Sequence, residues 1–323
     1  MYVVAFLNVL GLMHPSQMPL PRHGAPLPAV LLAFALIAGL VGVVGCDLSN
    51  SEGPTHDPNP GPFHVDHMPA WSPDGTQIAY HHDARRTEDT TDVSGLYILN
   101  LDTDSTRLLV EGSARSPDWR PDGERIAFTT GNVYTIRPDG SERRRLTEFG
   151  SSFRPRWSPD GQTISFGRSG STDEVGLWFA HLPDSTFTRF GWVVYSDWAP
   201  NGKRIVYNFR DQLWTADTSR TDSTQLTDND FTNNRYPAWS PDGECIVWSP
   251  LDKNEFELWV MQANGTGKRK LAKGGSFPAW GPGSDRIVFA KPAQGSDLTA
   301  LWTIRRDGSD LRQITDPSRN PLN

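Results

Sequence analysis

Four of the eight histidines, His64, His67, His81 and His82, fall within one short stretch of the 323-residue chain. Imidazole is a common metal ligand, and a bound metal there would polarise a substrate oxygen or activate water. One feature limits this possibility. His81 and His82 are adjacent, and neighbours on a strand point to opposite faces. Other constellations that do chemistry are missing from the sequence. No Gly-x-Ser-x-Gly nucleophile turn occurs, nor a Gly-x-x-x-x-Gly-Lys phosphate loop, nor His-Glu-x-x-His. Asp102-Thr103-Asp104 and Asp228-Asn229-Asp230 lack the Gly and distal Glu of a calcium loop and suit turns better. The expectation is therefore no catalytic residue, no cofactor and no metal, with the four histidines as the alternative metal ligands.

The elements that must position these residues are set by one repeated phrase. Pro69-Ala70-Trp71-Ser72-Pro73-Asp74-Gly75-Thr76-Gln77-Ile78-Ala79-Tyr80 returns around Trp119, Trp157, Trp198, Trp239 and Trp280, at spacings of 48, 38, 41, 41 and 41 residues. A period near forty with strand-like content marks a propeller or solenoid array. Nine residues separate each Trp from a second aromatic: Tyr80, Phe128, Phe166, Tyr207, Trp248 and Phe289. Ser-Pro-Asp-Gly between them is type I turn chemistry. A third strand carries Tyr97, Tyr134, Trp178, Trp214, Trp259 or Trp302, and a short fourth is expected at Leu108 to Val110, Leu146, Phe190, Leu226, Leu271 and Ile314. Four antiparallel strands repeated six times predict an all-β, six-bladed β-propeller over residues 63–323. Ten of the twelve tryptophans lie on first or third strands and are expected in the core between blades.

At Arg154-Pro155-Arg156-Trp157-Ser158-Pro159-Asp160-Gly161 the repeats resemble the TolB-like (WD-repeat-like) propeller family, over residues 66–315. The resemblance implies the propeller fold. It does not extend to the α/β domain that precedes the propeller in TolB, which argues against a Tol–Pal role. The same repeats precede the catalytic domain of prolyl-oligopeptidase-type enzymes, and here the sequence ends at Asn323. Arg319-Asn320-Pro321-Leu322 resembles the opening of another first strand, either closing the ring or ending frayed. Some propeller lyases of pectin fragments use a histidine-bound metal. A metal-dependent glycan lyase or hydrolase using the blade-one histidines is therefore the alternative function.

Loop lengths point to binding instead. The first turn is constant, but the motif Trp lies 26, 15, 21, 16, 20 and 22 residues before the third-strand aromatic. The variation sits in the loop between strands two and three, at the ring end opposite the Pro-Asp-Gly turns. Variable loops on a rigid scaffold carry recognition. Blade one has the longest, His81 to Ser94, with Arg85 and Arg86. Aromatics near the blade junctions at that end are Phe153, Trp192, Tyr195, Phe231, Tyr236 and Phe277. His81, His82, Arg85, Arg86, Tyr195, Tyr236 and Phe277 are the expected partner-binding residues.

The N-terminus predicts an envelope location. Ala29 to Gly45 is uncharged and apolar after Arg22 and His23, the layout of a secretory signal. Val43-Val44-Gly45-Cys46 resembles a bacterial lipobox, which implies lipidation at Cys46. Seventeen apolar residues are short for an uncleaved span, and the Cys at their end favours the lipoprotein. Residues 1–45 are thus expected as a signal peptide, with Met18 the natural start, and 46–62 as a flexible linker. Cys245, the other cysteine, then has no internal disulfide partner. The formal charge of −7 with no basic stripe argues against nucleic acid. Arg143-Arg144-Arg145 reads as a solvated outer edge. The expectations combine into a lipid-anchored monomer of the bacterial envelope, periplasmic or on the outer surface. It would bind an envelope protein or a cell-wall or glycan ligand.

Overall fold

The computed structural model describes residues 64–84, 93–170, 174–193, 195–228, 233–252, 255–296, 298–317 and 321–322. The expected signal peptide, Met18, Cys46, the linker, Arg85, Arg86, Phe231, Arg319 and Asn320 lie outside them. No helix occurs among the described residues.

Among the described residues, twenty-four strands form six antiparallel sets of four. The first contains β1 (His64–Trp71), β2 (Gln77–Ala84), β3 (Gly95–Asn100) and β4 (Ser105–Glu111). The second contains β5 (Arg115–Trp119), β6 (Ile126–Thr129), β7 (Val133–Ile136) and β8 (Arg144–Arg145). The third contains β9 (Ser152–Trp157), β10 (Thr163–Arg168), β11 (Gly176–His181) and β12 (Thr186–Gly191). The fourth contains β13 (Ser196–Trp198), β14 (Arg204–Phe209), β15 (Gln212–Asp217) and β16 (Ser223–Gln225). The fifth contains β17 (Asn233–Trp239), β18 (Cys245–Asp252), β19 (Glu255–Gln262) and β20 (Arg269–Lys273). The sixth contains β21 (Ser276–Trp280), β22 (Arg286–Pro292), β23 (Thr299–Arg305) and β24 (Arg312–Gln313). Four sets are separate sheets. The sixth and first merge into one eight-stranded sheet through a parallel bridge, Val65 of β1 with Thr299 of β23.

The fourth strands depart slightly from expectation. Leu146, Leu226 and Ile314 lie one residue beyond β8, β16 and β24, and Arg144 and Arg145 form β8 itself. Both arginines are exposed there. These outer strands have one neighbour each, so they end where side chains no longer gain burial.

Each second strand is buried on both faces, because alternate residues pack against opposite neighbours. On β6, Ile126 and Phe128 join Ala79, Leu96 and Ile98 of the first set. Ala127 between them joins Trp157, Ile164 and Phe166 of the third. The same interleaving links sets three and four, four and five, and five and six. Ile78, Tyr80 and Tyr97 of the first set pack on Val288 and Leu301 of the sixth. Apolar clusters thus run right around the ring and close it. The first strands repeat the pattern inside: β1 touches β5, and so on to β21, which touches β1.

The Ser-Pro-Asp-Gly turns explain their own sequence. Ser72 Oγ donates to Asp74 Oδ1 at 2.6 Å and accepts the Gln77 N–H at 2.9 Å. Asp74 also accepts the Thr76 N–H, and Gly75 sits at φ 75°, where a side chain is disfavoured. The sixth turn has drifted to Gly-Pro-Gly-Ser, yet Ser284 adopts φ 59° and its N–H still donates to Gly281 O.

Candidate binding site on the ring axis

Five of the six first strands bulge just before their motif Trp. Register slips between His67 and Ala70, Arg115 and Asp118, Phe153 and Arg156, Arg235 and Ala238, and Ser276 and Ala279. Met68, Ser116, Arg154, Tyr236 and Phe277 take φ of 53° to 55°, each followed by Pro69, Pro117, Pro155, Pro237 or Pro278. Proline offers no N–H to a ladder, so the bulge falls where pairing is already lost. A non-glycine residue at positive φ costs about 1–3 kcal/mol and persists only where its surroundings over-determine it.

What over-determines it is the axis. The residue three before the Trp in successive sets is Met68, Ser116, Arg154, Tyr195, Tyr236 and Phe277; the last four pack together, and Met68 meets Ser116. Arg154 Cζ lies 4.1 Å from the Tyr236 ring centroid, 4.7 Å from Tyr195 and 5.0 Å from Phe277. Tyr195 packs edge-on against Tyr236 at 4.9 Å, and Tyr236 stacks on Phe277 at 4.4 Å. Ser116 Oγ donates to Met68 Sδ at 3.2 Å. Burial pushes the Arg154 guanidinium down to about 10, still charged at neutral pH. It therefore sits as a cation among three aromatic faces, an arrangement that contributes about 0.5–2 kcal/mol per desolvated pair. Only about 20 Å³ is open beside it, so this layer narrows the channel.

Two residues nearer the Pro-Asp-Gly turns lies a second layer: Ala70, Asp118, Arg156, Asp197, Ala238 and Ala279. It borders a cavity of about 140 Å³. Asp118 accepts the Trp157 N–H at 2.7 Å, and Asp197 accepts the Trp239 N–H at 2.6 Å, each tying its set to the next. Arg156 Nη1 is 3.8 Å from Asp118 Oδ1 and donates to Pro155 O. Burial outweighs the attraction of Arg156 for both acids. Asp118 is pushed up to about 7 and Asp197 to about 6.

The histidines separate by face. His67 and His81 are direct cross-strand partners on β1 and β2, with ring centroids 4.8 Å apart. His81 Nδ1 donates to Ala114 O at 2.7 Å. His82 faces the other way, its Nδ1 2.7 Å from Asp66 Oδ1. Burial pushes His67 down to about 3 and His81 to about 4. His64 is the first residue of β1. The four thus do not form one group. Tyr195, Tyr236 and Phe277, anticipated at the blade junctions, converge on the axis instead, and His67 touches their edge, 5.8 Å from Phe277. Phe153 packs beside Gly167, where an added Cβ would lie 2.3 Å from its ring. Trp192 is exposed. Arg154, Asp118, Arg156 and Asp197 were missed by sequence reasoning. Aligning the copies on the Trp shows them as charges at positions that hold alanine, serine, methionine or aromatics elsewhere.

A family model described as the TolB beta propeller domain matches residues 65–284. The chain belongs to this TolB beta-propeller family. An uncharacterized protein of Agrobacterium fabrum is 26% identical over 214 residues, 61% of this chain and 72% of that protein. The solved structure of TolB from Acinetobacter baumannii aligns at a TM-score of 0.57 with 20% identity, covering 68% of this chain and 57% of that one. An oligogalacturonate lyase solved with manganese aligns at 0.55 with 12% identity, covering 77% of each chain. At such identities these structures share the fold alone. The chain spans just over half of the Acinetobacter TolB.

Proposed function

We propose that this TolB-family chain is a cell-envelope lipoprotein, anchored through Cys46, whose propeller binds a protein partner without catalysis. We count each four-strand set as one blade, six in all, and take the chain as a monomer. The partner docks at the ring end that carries the unequal loops, over the mouth of the axis. A single observation carries this choice: Arg154, Tyr195, Tyr236 and Phe277 form a chemically distinct assembly near that mouth, whereas the opposite end presents near-identical turns. Aromatic and arginine side chains are those that most often dominate binding energy. Arg115, exposed on β5, extends the surface outward, and Arg85 and Arg86 are taken as further partner-binding residues. A cell-wall or glycan ligand would use the same mouth.

The experiment is partner capture by the tagged full chain in native envelope. Arg115→Ala combined with Arg85→Ala and Arg86→Ala should weaken capture about tenfold or more, as hot-spot truncations do, with an unchanged melting temperature. Lys203→Ala, on the Pro-Asp-Gly end, should leave both unchanged. Loss of capture in the Lys203 variant alone would assign binding to the wrong end.

A further inference from the structure

On one face of the β1–β2 pair, three ligand-bearing side chains come together. His67 and His81 are cross-strand partners, and Asp83 follows His81 by two residues on β2, which returns it to the same face. One ligand atom from each lies within 4.8 Å of the others. We propose that His67, His81 and Asp83 form a divalent metal site, and that the ion it takes is Zn²⁺.

Three features support the site beyond proximity. His81 is 1% exposed, and its Nε2 has no hydrogen-bond partner among the described residues. A buried lone pair with nothing to accept from is costly and asks for a ligand. Next, His81 Nδ1–H is held by Ala114 O. That is the arrangement of ligating histidines, whose second nitrogen donates to a carbonyl or carboxylate and so fixes the tautomer and ring. Finally, Ser94 Oγ, which donates to Ala84 O at 2.9 Å, shares its proton with Asp83 Oδ1 at 3.3 Å and helps to hold the carboxylate.

The geometry requires closure. Tetrahedral zinc with bonds of about 2.0–2.2 Å holds its ligand atoms roughly 3.4 Å apart. His67 and Asp83 are partly exposed and can rotate inward, while buried His81 stays put. The donor set, rather than the charge, selects the ion. Arg115 and Arg154 act on His67 and oppose a cation there, with Asp83 the opposing negative charge. Oxygen-seeking Ca²⁺ or Mg²⁺, which depends on several carboxylates and carbonyls, gains little from such a set. Two imidazoles and one carboxylate suit zinc and leave a coordination position for water or a partner's side chain.

Zn²⁺ titrated calorimetrically into the full chain at neutral pH tests the site. One equivalent should bind, and Zn²⁺ should raise the melting temperature. His67→Asn and Asp83→Asn, both at partly exposed positions, should each weaken binding by at least about tenfold, while His181→Asn should not. X-ray absorption of the loaded protein should show two imidazole nitrogens. No binding by the unaltered chain would overturn the proposal. So would affinity that is unchanged in both the His67 and Asp83 variants, or lost only in the His181 variant.

Discussion

Replacing Trp157 with alanine is expected to destabilise the propeller by about 3–5 kcal/mol, the usual cost of emptying a buried aromatic site. Trp157 is 6% exposed. It packs with Ala127 and Val133 of the second set and with Ile164, Phe166 and Ala180 of its own, so its loss opens a void between two sheets. Its indole Nε1 makes no hydrogen bond among the described residues. The backbone N–H that donates to Asp118 remains in the variant. The loss is therefore one of packing, with the Arg120 guanidinium 5.5 Å from the ring adding a smaller share. For a domain of this size the melting temperature should fall by on the order of 10 °C. An unchanged melting temperature would show that the cluster between these two sheets is not part of the core.

Asp118→Asn is expected to stabilise the protein above neutral pH and to flatten its pH dependence. Burial lifts the Asp118 carboxyl from the ordinary 3.8 to about 7, so between those values the folded chain keeps a proton that the unfolded chain has released. Stability must then fall as pH rises from about 4 to 7, and level off above. Asp197, raised to about 6, adds a fall of the same sign ending lower. A shift of this size bounds the effect at roughly 4 kcal/mol; the partial exposure of the Asp118 side chain, 22%, reduces it. Asparagine keeps the oxygen that accepts the Trp157 N–H and removes the charge. Melting curves at pH 5 and pH 8 should bring the two proteins close together at the lower value, with the variant ahead at the higher. Parallel pH profiles would mean that Asp118 titrates like an exposed acid.

The fold was readable because the phrase from Pro69 to Tyr80 recurs with a constant aromatic spacing, and each copy needs the next to bury its second strand. The axis was not readable in the same way. Arg154 sits inside the repeated phrase, where it passes for motif, and no other copy has an arginine there. Nothing local says that a residue before proline will leave its strand at a bulge and pack against aromatics from three other sets. Asp118 and Asp197 precede tryptophans, and only the closed channel reveals their burial. The histidines were half readable. Strand alternation separates His81 from His82, but Asp83 joins His67 and His81 only once the β1–β2 register is known. Arg85 and Arg86 lie outside the described residues.

A photo-crosslinking residue placed at Arg115, and separately at Asn201, tests most directly the claim that binding belongs to the variable-loop end of the axis. Both side chains are exposed, and they lie at opposite ends of the ring. Irradiation of native envelopes should join a discrete protein partner to the chain labelled at position 115 and leave the chain labelled at 201 free. The same adduct forming at 201 and absent at 115 would contradict the account.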